Sequence, residues 1–410
     1  MRRKIISSFV TRGAIALCNL AILLIVTRMQ GSEVLGKLSL LIVNMTVIQT
    51  LIDIYTGPAL VYFIPGARLR HIYGMGVLWI LCGGIVLTAL VVFFDVRIRD
   101  IWIHLFVLSV VSTLQAFHNV ILLARERIRI YNLLLFMQPA ILLIVLIVNV
   151  LVLKNTDVYS NIYAMYCSWF ISVICSSVFI WPLMNKTPEG AKRLRFMEMF
   201  KNGFINQLGN LAHILSNRFN YYMLSTIALV GVYGGATSLI ESALIISASI
   251  SPLVLTRIAN RKGEGDESRM SFLLAKISFL LSSLLVLLVV LVPAEVFTQL
   301  LGKDFSGARS IMLRLAPGVL CISFSSILSH YFSGLGRQKI LLLANSSGLI
   351  VTLILSYPLI SVYGVYGACY AASLAYFTQS AVLTFIFMKE NRLSFSALFS
   401  FRRDLSVLEK

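Results

Sequence analysis

Acidic residues are scarce in this chain: 17 Asp and Glu in 410 positions, beside 35 Lys and Arg. Charged residues together make up 13% of it, about half the share of a soluble globular chain. That shortage excludes an ordinary water-soluble fold, because too little polar surface is available to cover one. Paired cysteines are also missing. Cys18, Cys82, Cys167, Cys175, Cys321 and Cys369 all fall in apolar runs without ligand spacing, which argues against a disulfide framework or a zinc site and for small buried hydrophobes. The five histidines, His71, His104, His118, His213 and His330, form no metal-binding pair. No catalytic residue, metal or cofactor is therefore expected.

What the chain has instead is apolar length. Hydrophobic residues reach 58%, and a membrane-spanning helix needs about 20 of them in a row. That ruler predicts spans near 7–27, 35–56, 74–94, 102–123, 132–153 and 159–183, then 203–229, 232–256, 271–292, 308–332, 340–361 and 365–388. The reading is an all-α polytopic membrane protein with about twelve spans in two six-helix lobes. Lobes are expected at 1–184 and 202–390, with a cytoplasmic linker at 185–201 and a cytoplasmic tail at 391–410. The opening MRRK and apolar run resemble a signal peptide. The run continues to about Val26 without a small-residue cleavage site, so a retained first helix is expected.

The net charge of +18 would suggest nucleic acid in a soluble protein. Here the basic residues sit in short loops between apolar runs, so they set topology and nucleic acid is not expected as a partner. With both termini cytoplasmic, one side carries twenty-four Lys and Arg, and the other only Arg28, Arg97, Arg99, Lys154, Lys303 and Arg309. The positive-inside rule then fixes the orientation. Arg127, Arg129, Arg337 and Lys339 belong to the basic side and suit contact with anionic membrane lipids.

The two halves repeat. Val34, Leu35 and Gly36 match Val232, Tyr233 and Gly234 at a shift of 198. The same shift carries Ser8, Arg12 and Asn19 onto Asn206, Asn210 and Asn217, and spacings of 4 then 7 place each triplet on one helix face. ARERIRI at 124–130 matches GLGRQKI at 334–340. Six-helix halves repeated in parallel are a transporter arrangement. Polar stripes in the bilayer must face protein or water. On the seventh span Asn206, Asn210, His213, Asn217 and Tyr221 share a face edged by Gln207, Arg218 and Ser225; Lys37 and Asn44 mark the second span, and Ser238, Glu241, Ser242 and Ser249 the eighth. A hydrated, cationic central cavity between the halves is the expectation.

The segment TRMQGSEVLGKLSLLIVNMTVIQTLIDIYTGPALVYFIPGA at 27–67 resembles the opening of bacterial polysaccharide transporters, through Arg28, Gly31, Glu33, Gly36 and Gly57. The stretch from Leu315 to about Ala381, with GLGRQK and LISVYGVYGACYAASLAY, resembles their closing pattern. Within the superfamily of multidrug, oligosaccharidyl-lipid and polysaccharide exporters, the chain is most similar to O-antigen-type flippases. The resemblance implies turning polyprenyl-pyrophosphate-linked oligosaccharide across a bacterial inner membrane by alternating access. It implies a central cavity lined by the first, second, seventh and eighth helices. Polysaccharide polymerase and chain-length proteins become candidate partners. Twelve spans rather than fourteen separate the chain from peptidoglycan-precursor flippases.

On that reading Arg218, Arg12 and Lys37 are candidate pyrophosphate contacts, since guanidinium forks fit phosphate oxygens in pairs. At 4 Å and an effective dielectric of 20 one such contact is worth about 4 kcal/mol before desolvation. The alternatives are that Arg218 pairs with Glu241, that Arg12 snorkels, and that Lys37 is an interfacial lysine. Asn19, Asn44, Asn210, Asn217, Tyr221 and Tyr222 are candidates for lining the cavity or binding sugar. Glu241 and Asp53 are candidate proton or sodium sites, with ion pairing and solvation as their alternatives. A multidrug cation antiporter shares the superfamily and should favour an acidic cavity. A membrane-embedded polysaccharide polymerase would need a long external loop or a carboxylate cluster.

Overall fold

In this computed structural model the described residues are 2–64, 68–184, 196–260, 267–394 and 397. Among them the chain is helical throughout, with no strand. It forms two compact units, Met1–Leu211 and Ala212–Lys410, so the division falls inside a helix. The linker expected at 185–201 lies outside the described residues as far as 195, and 196–201 already belong to that helix. The tail expected at 391–410 lies mostly outside them as well.

In the N-terminal unit, α1 (Arg2–Thr56) joins the first two expected spans into one helix, interrupted only at Gly31. Gly31 has φ 86° and ψ −177°, a conformation essentially reserved for glycine. A single residue thus replaces the loop that the hydropathy pattern suggested. Three further spans follow the expectation closely: α2 (Leu69–Phe94), α3 (Trp102–Ala124) and α5 (Val158–Met184). The fifth expected span is α4 (Ile128–Ile147), extended by one turn of wider helix at 148–152. Helix α1 packs on α2, α3 and α4, and α5 closes the bundle against α3 and α4. The core holds Leu40, Leu41, Ile48, Ile52, Phe117 and Ile121, all fully buried.

The polar α6 (Phe196–Met223) begins earlier and ends earlier than the expected seventh span. In the C-terminal unit the eighth span is divided into α7 (Ile227–Glu241) and α8 (Ile245–Asn260) by a tight turn at Ser242–Leu244. Then come α9 (Glu267–Leu291), the short α10 (Ala294–Leu301), α11 (Ala308–Gly334), α12 (Gln338–Tyr363) and α13 (Val365–Glu390). Ten described segments are long and apolar enough to cross a membrane. One of them, 52 residues long, contains both arms of α1, and the polar α6 is not among them, which reconciles ten with twelve.

Helix α11 is the hub of the C-terminal unit, touching α7, α8, α9 and α13. Between α12 and α13, Gly364 turns with φ +58°, and a Cβ on Gly367 would collide with the Leu359 carbonyl. The small residues Ala368, Ala371, Ala372 and Ala375 then lie fully buried along α13, the close helix approach that small-residue spacing favours.

Both units are inverted relative to water-soluble proteins. Serines occupy the interior: Ser278, Ser282 and Ser323 are fully buried and bonded to one another at 3.0 and 2.6 Å. Meanwhile Phe93, Phe94, Trp181, Leu288 and Phe385 are exposed. Such a surface is stable against acyl chains and would aggregate in water. Cysteines follow the same inversion. Among the six, only Cys369 is buried, while Cys82 and Cys167 are exposed on the apolar surface, so the expected burial holds for one of them.

The internal repeat has a backbone counterpart. Between α3 and α4 the amides of Arg125, Glu126 and Arg127 donate to the carbonyls of Ile121, Leu123 and Leu122. Between α11 and α12 those of Leu335, Gly336 and Arg337 donate to Tyr331, Ser333 and Phe332, each 210 positions on (125 to 335, 121 to 331). Glu126 and Gly336 both have positive φ, 55° and 73°. ARERIRI and GLGRQKI are therefore the same turn.

Candidate functional site

The candidate residues divide between the units. In the N-terminal unit Arg12 and Asn19 are exposed on the first arm of α1, and Arg12 lies in electrostatic range of Tyr131 on α4. Lys37 forms a 3.8 Å ion pair with Asp100, itself half-exposed just before α3. Asn44 is buried, with Nδ2 donating to the Leu40 carbonyl of its own helix at 2.9 Å. Asn210, exposed, donates to Gln207 Oε1 at 2.9 Å. The Asp53 carboxylate, half-buried near the end of α1, accepts from Thr56 Oγ1 at 3.1 Å and from Gln49. Gly57 lets Gln207 of α6 approach this end of α1, since a Cβ there would meet Gln207 Nε2.

The C-terminal unit gathers more of them. Helix α6 ends at Met223, and Thr226 caps α7 by accepting from the Leu229 amide at 3.2 Å. This short reversal lays α7 beside the last turns of α6, so Arg218 meets Glu241. The guanidinium grips the carboxylate at two points, Nη1 to Oε1 at 3.2 Å and Nη2 to Oε2 at 2.6 Å. Their side chains are 29% and 17% exposed, so the pair is interior but reachable. A two-point fork is the strongest arrangement of this pair of groups.

Around it stand aromatic hydroxyls. Arg218 Nη1 donates to Tyr221 at 3.2 Å, and the Tyr376 hydroxyl donates to Glu241 Oε1 at 3.4 Å. Tyr221 is buried edge-on against Tyr233, with ring centroids 5.3 Å apart. Its hydroxyl therefore serves the ion pair while its ring packs. Tyr222, next along, is half-buried.

One turn away on the same helix, His213 lies between two amides. Asn217 Nδ2 is 3.1 Å from its Nε2, and Gln379 Nε2 is 3.1 Å from its Nδ1. Gln379 also donates to Asn345 Oδ1 at 2.7 Å. The far side of α6 is tied down separately: Asn220 donates to the Ala368 carbonyl at 3.1 Å and accepts from Ser356 at 2.7 Å. That face of α6 is held by α12 and α13, which leaves the orientation of Arg218 fixed by packing.

The sequence pattern thus brought Asn217, Arg218, Tyr221 and Glu241 together, and both Arg218 and Glu241 take their pairing alternative. It missed Tyr376, Gln379 and Asn345, whose signal was present as polar residues three apart on α13 and one within α12. It also passed over two cations inside spans. Lys276 is buried over the Phe272 ring at 4.7 Å and donates to the Ala397 carbonyl at 2.6 Å. Arg314 lies over the Tyr366 ring at 4.0 Å and donates to the Tyr370 hydroxyl at 3.1 Å.

No family model matches the sequence, and no curated protein matches it significantly. The fold does have solved counterparts. An inward-facing multidrug resistance MATE family transporter of the MOP superfamily superposes with a TM-score of 0.73 at 15% identity, covering 94% of this chain and 98% of that one. An outward-facing transporter of the same description gives 0.66 at 14% identity, over 99% and 95%. A Vibrio cholerae MATE transporter, VcmN, gives 0.64 at 12% identity, over 97% and 99%. The chain therefore has the fold of MATE transporters, end to end.

Proposed function

We propose that this chain is a secondary transporter that turns polyprenyl-pyrophosphate-linked oligosaccharide from the inner to the outer leaflet of a bacterial inner membrane. It does so by alternating access, with both termini cytoplasmic, for surface polysaccharide assembly. The two conformations named for its fold neighbours, inward-facing and outward-facing, support alternating access. The observation that carries the cargo reading is the Arg218 fork, held inside the bundle yet partly exposed. A diphosphate offers the same paired oxygens as Glu241 and more charge, so it competes for the fork on equal geometry. Charge balance supports it too: Arg12, Lys37, Arg218, Lys276, Arg309 and Arg314 lie within the spans expected from hydropathy, against Asp53 and Glu241.

A second reading, a multidrug cation antiporter, is favoured by the neighbours' descriptions. In it a cationic cargo displaces Arg218 and pairs with Glu241. The two readings invert the consequence of each substitution. In a strain lacking the chromosomal copy, R218Q abolishes surface polymer and leaves lipid-linked oligosaccharide on the inner leaflet if the cargo is anionic, while E241Q keeps partial function. Normal polymer with R218Q, at unchanged protein level, overturns the anionic reading. Loss of cation efflux in E241Q alone establishes the other.

A further inference from the structure

Histidine 213 is enclosed in a way that lets it change protonation without losing a hydrogen bond. Both of its ring nitrogens face side-chain amide nitrogens, those of Asn217 and Gln379. Two amide nitrogens can donate together only to a ring that carries no hydrogen, so in any accessible protonation state at least one amide presents its oxygen. Asn217 Oδ1 and Gln379 Oε1 are buried and have no hydrogen-bond partner, so no bond from either oxygen breaks. Turning Gln379 takes its Nε2 from Asn345 Oδ1, and Asn345, itself an amide, keeps that bond only by turning with it. By half-turns of these groups the ring keeps both bonds as either neutral tautomer and as imidazolium.

The charged and titratable groups around it are Arg218 and Tyr221 on its own helix, Glu241 on α7 and Tyr376 on α13, while α12 contributes the neutral Asn345. His213 is in electrostatic range of both Arg218 and Glu241. As long as those two grip each other, the neighbourhood is neutral. When an anion takes the guanidinium, the carboxylate is left without its counter-charge in a medium that penalises bare charge. A proton on His213 restores neutrality within electrostatic range of that carboxylate.

We propose that His213 is the proton-coupling residue of the C-terminal unit, binding a proton when an anionic cargo group draws Arg218 from Glu241. This rests on the anionic-cargo reading and names its coupling ion. The test is nuclear magnetic resonance of the full chain in lipid nanodiscs with 15N-labelled histidine and arginine, His213 and Arg218 being assigned by the signals that H213N and R218Q remove. Spectra are taken between about pH 5 and pH 8, with and without inorganic pyrophosphate. Pyrophosphate should raise the His213 imidazolium signal several-fold at a fixed pH, and E241Q should remove that rise. R218Q, in which Glu241 has lost its partner outright, should show the rise without pyrophosphate; if R218Q does not fold, the wild-type comparison decides alone. A rise in R218Q with no response to pyrophosphate upholds the proton site and overturns the anionic cargo. Pyrophosphate binding, seen as a shift of the Arg218 guanidinium signal, with His213 unchanged overturns the proton site and leaves the cargo reading standing. A single unvarying neutral tautomer of His213 in every sample also overturns the proposal, including the case in which Glu241 takes the proton itself.

Discussion

One histidine from each unit, His118 and His213, sits in a network of side chains, and the two networks are built on opposite principles. In the N-terminal unit His118 is fully buried between Tyr73 on α2 and Ser176 on α5, at 3.0 and 2.7 Å. The single hydrogen of Ser176 is already directed at acceptors, Gln115 Oε1 and the Val173 carbonyl, both at 2.9 Å. Ser176 therefore offers His118 only a lone pair. This fixes the hydrogen on Nδ1 and leaves Nε2 to accept from Tyr73. No carboxylate is among these partners. In the C-terminal unit His213 is bonded by amides that can reverse, beside an ion pair that can open. A histidine held by committed hydroxyls ties three helices together, whereas one held by rotatable amides can carry charge.

The largest effect should come from breaking the ion pair that separates the two networks. Removing one partner of an interior pair leaves an uncompensated charge, so R218M or E241L alone should each destabilise the protein by about 3 kcal/mol. The double variant R218M/E241L replaces the pair with apolar contacts and should recover most of that stability, while transport remains lost. Thermal unfolding in detergent and a transport assay on the same preparations check both statements. A double variant that is active would show the pair to be structural only, and His213 would then differ from His118 in nothing that matters to function.

How much of this was legible beforehand follows from which signals are local. Helix number and span limits came from apolar length, a local property, and hold to within a few residues for α2, α3, α5 and α13. The repeated turn was legible because Arg127 and Arg337 are polar marks in matching places. The joining of two spans in α1 was not, because hydropathy registers Gly31 and its polar neighbours as a loop, although one glycine with positive φ suffices to redirect a helix. The Arg218–Glu241 pair was readable as an alternative, since two opposite charges within adjacent spans seldom stay apart. The clamp on His213 was not readable, because Gln379 and Asn345 come from helices more than a hundred positions away. A lone glutamine in a span carries no mark of its partner.

Next in size is the contrast between the histidines themselves. H118N should destabilise by about 2 kcal/mol, because Tyr73 and Ser176 lose a buried partner and the core cannot hydrate them. The dependence of transport rate on pH should be unaltered. H213N should cost about 1 kcal/mol at most, since a third amide can join two others, yet it should flatten the pH dependence of transport. Equal stability losses with equal pH profiles would erase the distinction between the two networks.

The smallest effect compares the paired turns. Glu126 and Gly336 occupy the same position with φ of 55° and 73°, but only glycine adopts that region freely. A side-chain-bearing residue there costs about 1–2 kcal/mol, offset in part by the lower entropy of its unfolded chain. E126G should therefore stabilise the N-terminal unit by about 0.5–1 kcal/mol, and G336E should destabilise the C-terminal unit by a similar amount. Nothing lies within 4 Å of where a Cβ on Gly336 would stand, so the effect of G336E would report backbone strain rather than a clash. If the two changes were equal and opposite, the turns would be equivalent in energy as well as in hydrogen bonding. An effect much larger at one of them would mean that the repeat is preserved in geometry while its contribution to stability has diverged.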